Sequence, residues 1–120
     1  MQTQLRVLLV DDDEDVREYT AAVLEDAGYA VATAARADEA EFLLSKGDVF
    51  DLVITDIILP GQNGVELAQA VRRRSPTARI LFTTGYTRHI AGEGVADVDV
   101  LDKPYLPAAL LHAVRHALRA

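Results

Sequence analysis

The 120-residue sequence has no cysteine, no tryptophan and one methionine, and aromatic side chains make up only 6% of it. Without cysteine there is no disulfide framework, no thiolate nucleophile and no sulfur-ligated metal, and nothing demands an oxidising compartment. Extended apolar tracts are missing at the start as well. The run over residues 5–10 is short, is broken by Arg6 and ends in acids, so it reads as neither a signal peptide nor a membrane span, and a cytoplasmic location is expected. Basic residues are scarce: 12 Lys and Arg stand against 19 Asp and Glu, a formal charge of −7. A field of that sign opposes binding to a polyanion, because phosphate-backbone affinity needs clustered cations. Arg72, Arg73 and Arg74 form the only basic cluster, so direct nucleic-acid binding is not expected.

Half of the residues are hydrophobic and 26% are charged, the balance of a chain that folds. The length suits one domain over residues 1–120, too small for a separate cap, substrate or output module. No internal repeat, linker or low-complexity tract interrupts it.

Short runs rich in Val, Ile and Leu, without polar alternation, predict strands buried on both faces at residues 5–10, 52–55 and 80–83. A weaker one containing Asp99 is predicted at 98–101, and 29–34 is a further candidate. Between them the apolar spacing is helical. Val16, Thr20, Val23, Leu24 and Ala27 share one face, as do Ala37, Ala40, Leu43 and Leu44, and Gly28 sits where a helix would end. A third helix is expected over 65–74, stopped by the step from Ser75 to Pro76. Pro107 suits the first turn of a last helix through Leu110, Leu111, Val114 and Leu118. Residues 87–96, with Gly92, Gly94 and few apolar side chains, are expected to be the weakly anchored part of the chain. Strands and helices alternating at these intervals predict an α/β fold, a doubly wound parallel sheet with helices on both faces.

In such a sheet the functional crevice lies beyond the carboxyl ends of the strands. The first strand runs into Asp11, Asp12 and Asp13, the third ends at Asp56, the fourth at Thr83, Thr84 and Gly85, and the fifth is followed by Lys103 and Pro104. Carboxylates brought that close repel one another unless a cation neutralises them, and a set of hard oxygen donors suits Mg²⁺ or Mn²⁺. A lysine and a threonine hydroxyl beside them make an anion clamp, and a carboxylate not consumed by the metal can act as nucleophile.

Each residue alone has a plainer reading. The acids from Asp11 to Asp15 suit a helix N-cap and first turn, Asp56 a turn before Pro60 and Gly61, and Lys103 a solvated position before a proline. The joint placement at one sheet edge is what argues for chemistry. A calcium loop is excluded because Val16 takes its required glycine position and Ala22 its final glutamate position. His112 and His116 have ligand spacing but fall on the polar face of the last helix, so they are expected to be solvated.

The segments VLLVDDDEDVRE, DLVITDIILPGQNGVEL, ILFTTGY and LDKPY, in that order and spacing, resemble the receiver domains of two-component response regulators over nearly the whole chain. The resemblance implies the CheY-like, flavodoxin-like fold with strand order 2-1-3-4-5. It also implies phosphorylation of Asp56 by a histidine kinase or histidine phosphotransfer protein, with output through a downstream protein effector. Mg²⁺ would be held by Asp12, Asp56, the backbone carbonyl of Ile58 and, through water, Asp11, while Thr84 and Lys103 would contact the phosphoryl oxygens. FTTGYT is closer to receivers of the single-domain or hybrid-kinase-associated type. Such a domain is not an enzyme beyond taking up a phosphoryl group and slowly losing it.

One departure stands out. Receivers of this family usually carry an aromatic residue three positions before the lysine, and here that position is Val100, with Tyr86 the aromatic nearest to Thr84. This departure gives some weight to a pseudo-receiver, a constitutive binding module. A haloacid-dehalogenase-type hydrolase would need a D-x-D-x-T/V signature and a cap, and neither is present. Ile58 and Tyr86 are bulky groups placed to keep water from an acyl phosphate on Asp56. Phosphoryl decay followed by intact mass should therefore be slow in the parent and faster in Ile58→Asn.

Overall fold

The computed structural model describes residues 4–85 and 100–119. In chain order these form β1 (Arg6–Val10), α1 (Glu14–Asp26), β2 (Ala30–Ala34), α2 (Ala37–Ser45), β3 (Leu52–Asp56), β4 (Ile58–Leu59), β5 (Gln62–Asn63), α3 (Gly64–Arg74), β6 (Arg79–Thr84), β7 (Val100–Asp102) and α4 (Pro107–Arg119). Five strands make one sheet in the order β2-β1-β3-β6-β7, with every pairing parallel. Setting aside the separate β4-β5 ribbon, this is the 2-1-3-4-5 order expected.

The unbroken apolar runs follow from burial on both sheet faces. Successive side chains of a strand point to opposite faces. Leu8, Val10, Val53 and Phe82 accordingly pack with Ala40 and Leu44 of α2 and Leu67 and Val71 of α3. Val7, Leu9, Ile54 and Leu81 pack on the other side with Leu24 of α1 and Leu110 and Val114 of α4. Every residue of β3 is buried, as befits the central strand.

Helix ends follow local chemistry. Asp13 caps α1 by accepting from the Val16 amide, and α3 opens with a reciprocal box between Asn63 and Glu66. Pro107 is the first residue of α4, where a missing N–H costs nothing. Helix α3 begins one residue earlier than the spacing predicts.

The short β4-β5 ribbon was not predicted, since two-residue strands carry no periodicity to read. Its turn is the Pro60-Gly61 pair, with Gly61 at φ +76°, the left-handed conformation that glycine supplies freely. The weak strand starts at Val100, while Tyr86, Val98, Asp99 and residues 87–96 lie outside the described residues. Among the described residues no helix is long and apolar enough to cross a membrane.

The sheet register aligns the strand ends that matter: Asp56 stands beside Thr83, and Thr84 beside Asp102, one residue before Lys103. Gly64 closes this edge from below, its amide donating to the Ile57 carbonyl at 2.6 Å. A Cβ on Gly64 would collide with the backbone carbonyl oxygen of Asp56. Gly64→Ala should therefore cost about 1–3 kcal/mol of stability by overpacking, read from the urea midpoint at constant slope.

Candidate functional site

Strand β1 delivers Asp11 to the carboxyl edge of the sheet, where it is 1% exposed. The side chain is fixed by its own backbone surroundings. Asp11 Oδ1 accepts from the Asp13 amide at 2.9 Å, and the Asp11 carbonyl accepts from Arg17 Nη1 at 2.7 Å. The Asp11 amide donates to the Ala34 carbonyl at the end of β2, at 3.1 Å. The acidic run therefore divides its labour: Asp13 caps α1, Asp11 is buried behind the crevice and Asp12 is exposed at its rim.

Strand β3 delivers Asp56, 6% exposed, and the backbone after β7 delivers Lys103, whose amide donates to the Thr84 carbonyl at 2.8 Å. The Lys103 ammonium bridges the two aspartates, with Nζ 2.7 Å from Asp56 Oδ1 and 2.8 Å from Asp11 Oδ2. Asp11 Oδ2 is buried, and the Lys103 ammonium offsets its charge there.

Asp11, Asp12 and Asp56 each offer a carboxylate oxygen, and the three lie within 4.8 Å of one another. Asp12 and Asp56 border a cleft of about 460 Å³ lined also by Ile58, Thr83, Thr84 and Lys103 among others, with Asp11 buried behind it. Asp11, Asp12, Asp56, Thr84, Lys103 and Ile58 thus meet at one edge, with Thr84 buried in the cleft wall and Ile58 about half exposed at its mouth, while Tyr86 lies outside the described residues. Val100, at the position usually aromatic in receivers, is 7% exposed and packs in the core beneath the sheet. His112 and His116 are exposed on α4.

One residue of this site was not assigned a role by the sequence. Thr83 donates its hydroxyl to Asp56 Oδ1 at 2.8 Å, within the buried interior. Threonine occurs twice at the end of β6, and only the strand register decides which hydroxyl reaches the carboxylate. Two further polar contacts tie α1 to the segment after β7: Thr20 Oγ1 and the Tyr105 hydroxyl share a buried hydrogen bond of 2.6 Å, and the Tyr19 hydroxyl donates to the Tyr105 carbonyl at 3.3 Å.

The electrostatics follow from crowding and burial. Burial raises the Asp56 carboxyl above the ordinary aspartate range, the Lys103 contact and the Thr83 hydroxyl oppose this, and the Asp11 charge adds to it. Burial works against the Lys103 charge, but the two aspartates outweigh it and hold the ammonium above the ordinary lysine range. Burial also raises the Tyr105 hydroxyl, while its bond to Thr20 acts the other way.

A carboxyl raised in the folded state binds protons there more tightly than in the unfolded chain. The stability tied to it is present below the unfolded value, about 3.9, and is lost as pH rises through the folded value. Asp56→Asn should therefore melt above the parent at pH 7 in chelator. Scanning calorimetry should show the gap narrowing as pH falls into the ordinary carboxylate range.

The family pattern described as the response regulator receiver domain matches residues 7–115. Over 118 residues the chain is 32% identical to the response regulator receiver protein CpdR of Brucella abortus, covering 96% of this chain and 98% of that one. It is 36% identical over 120 residues to the transcriptional regulatory protein AruR of Pseudomonas aeruginosa, covering 95% of this chain but only 49% of that protein. The structure of the chemotaxis response regulator CheY4 of Vibrio cholerae superposes with a TM-score of 0.83 at 33% identity, over 96% of this chain and 99% of that one. With a parallel five-stranded sheet in CheY-like order and an acidic cluster at its carboxyl edge, this chain belongs to the response regulator receiver domain family, the signalling modules of two-component systems.

Proposed function

We propose that the chain is a phosphoacceptor receiver, phosphorylated on Asp56 by a histidine kinase or a histidine phosphotransfer protein. The observation that carries this reading is the charge count of the cleft. Among the described residues three carboxylates face one ammonium, so two negative charges stand unneutralised around a cavity. A divalent cation matches that deficit, and oxygen donors of this kind favour Mg²⁺, with Mn²⁺ also suited.

Asp12, Asp56, the Ile58 carbonyl and, through water, Asp11 would hold the metal. When bound it would neutralise oxygens of the incoming phosphoryl group. The rest is the work of the chain. Asp56, held at the end of β3, presents a carboxylate oxygen in line with the phosphorus of the donor. Lys103 contributes its positive charge and Thr84 its hydroxyl to the phosphoryl oxygens. Ile58 at the mouth limits the entry of water. The chemistry asked of the protein is positioning and charge stabilisation, with slow loss of the phosphoryl group afterwards.

Output would pass to a downstream protein effector in the cytoplasm, without direct contact to nucleic acid, and residues 1–120 would act as one domain. A second reading, a constitutive pseudo-receiver, draws on Val100, whose burial in the core leaves no aromatic rotamer at that position to report phosphorylation. Incubation with acetyl phosphate and Mg²⁺ followed by intact mass tests both. One phosphoryl adduct per chain is expected, absent in Asp56→Asn and in excess chelator. A parent that takes up no phosphoryl group would favour the pseudo-receiver.

A further inference from the structure

We propose that Thr83 is a positioning residue for Asp56 that favours the carboxylate over the acyl phosphate, and so hastens loss of the phosphoryl group. The inference rests on the phosphoacceptor reading and goes beyond it, because Thr84 is the residue to which that reading assigns the hydroxyl.

The placement is fixed by the fold. Thr83 stands beside Asp56 in the β3-β6 register, and the Ile57 amide donates to the Thr83 carbonyl at 3.0 Å, tying the two strand ends together. Thr83 is 2% exposed, so its hydroxyl has little water to compete for it. Among the described residues the two side-chain donors to Asp56, Thr83 Oγ1 at 2.8 Å and Lys103 Nζ at 2.7 Å, address the same atom, Oδ1. Two donors on Oδ1 draw its electron density and leave Oδ2 as the oxygen that forms the bond to phosphorus.

In the phosphorylated protein Oδ1 is then the carbonyl oxygen of a mixed anhydride. A hydroxyl hydrogen-bonds more strongly to an ionised carboxylate than to that neutral carbonyl. In hydrolysis, water attacks phosphorus and the bond between phosphorus and Oδ2 breaks. Its electron pair returns to the carboxyl group, and the acyl phosphate dianion plus water yields the Asp56 carboxylate and dihydrogen phosphate. Negative charge grows on the carboxyl group along this path and is shared with Oδ1. The Thr83 hydrogen bond therefore strengthens toward the transition state, which is the condition for acceleration. Ile58 and Thr83 act in opposite senses, the first by limiting water and the second by easing departure of the carboxylate.

The test uses the full chain, loaded with acetyl phosphate and Mg²⁺, freed of donor by desalting and followed by intact mass over time. Thr83→Val, which keeps the shape and removes the hydroxyl, should lose its phosphoryl group about three- to tenfold more slowly than the parent, tenfold corresponding to about 1.4 kcal/mol in the barrier. Thr83→Ser, which keeps the hydroxyl and removes the methyl, should decay at the parental rate. Should Thr83→Val fold poorly, Thr83→Ala against Thr83→Ser makes the same comparison. Parental decay in Thr83→Val, or equal slowing in Thr83→Ser, overturns the inference while leaving Asp56 as the acceptor. A parent that forms no Asp56 adduct overturns the phosphoacceptor reading, and this inference with it.

Discussion

Lys103 Nζ lies 2.7 Å from Asp56 Oδ1 and 2.8 Å from Asp11 Oδ2, and the edge of the sheet is organised around the need to keep those charges together. A buried carboxylate left without a partner is strongly destabilising, so the three side chains must arrive from three different strand ends with little freedom. The parallel sheet meets that demand. The Lys103 amide is pinned to the Thr84 carbonyl, the Asp11 amide to the Ala34 carbonyl and the Ile57 amide to the Thr83 carbonyl, so backbone hydrogen bonds set the side-chain geometry.

The ammonium does not balance the cluster, and that imbalance links structure to function. Burial and the neighbouring Asp11 charge both disfavour an ionised Asp56, while Lys103 and Thr83 favour it. The resting site is thus held in electrostatic tension, which the proposed cation would relieve. A crowded, buried acidic site of this kind disfavours the ionised carboxylates of the bare fold.

Much of the architecture was legible in the sequence because burial on both faces leaves a plain signature. The runs around Leu8, Val53 and Leu81 read as central strands, and Val16, Thr20 and Leu24 read as one helix face. Asp11, Asp12, Asp56, Thr84 and Lys103 could be brought to one place by the strand-end rule and Ile58 added by the family resemblance, and the structure sets them around or directly behind one cleft. The β4-β5 ribbon escaped that reading because Ile58 and Leu59 pair with only Gln62 and Asn63, too short a segment for a period. The two readings of the acidic run proved compatible, since Asp13 serves as the cap and leaves its neighbours to the crevice.

The sequence by itself determined the fold class, the family and the set of residues gathered at the carboxyl edge, because hydrophobic periodicity and motif order are properties of the chain read in one dimension. Only the tertiary structure decided which atoms meet. That Thr83 rather than Thr84 donates to Asp56 Oδ1, that Lys103 bridges Asp11 and Asp56, and that Val100 sinks into the core are outcomes of strand register and side-chain direction. A shift of one residue in register would exchange the two threonines, since neighbouring side chains on a strand face opposite ways.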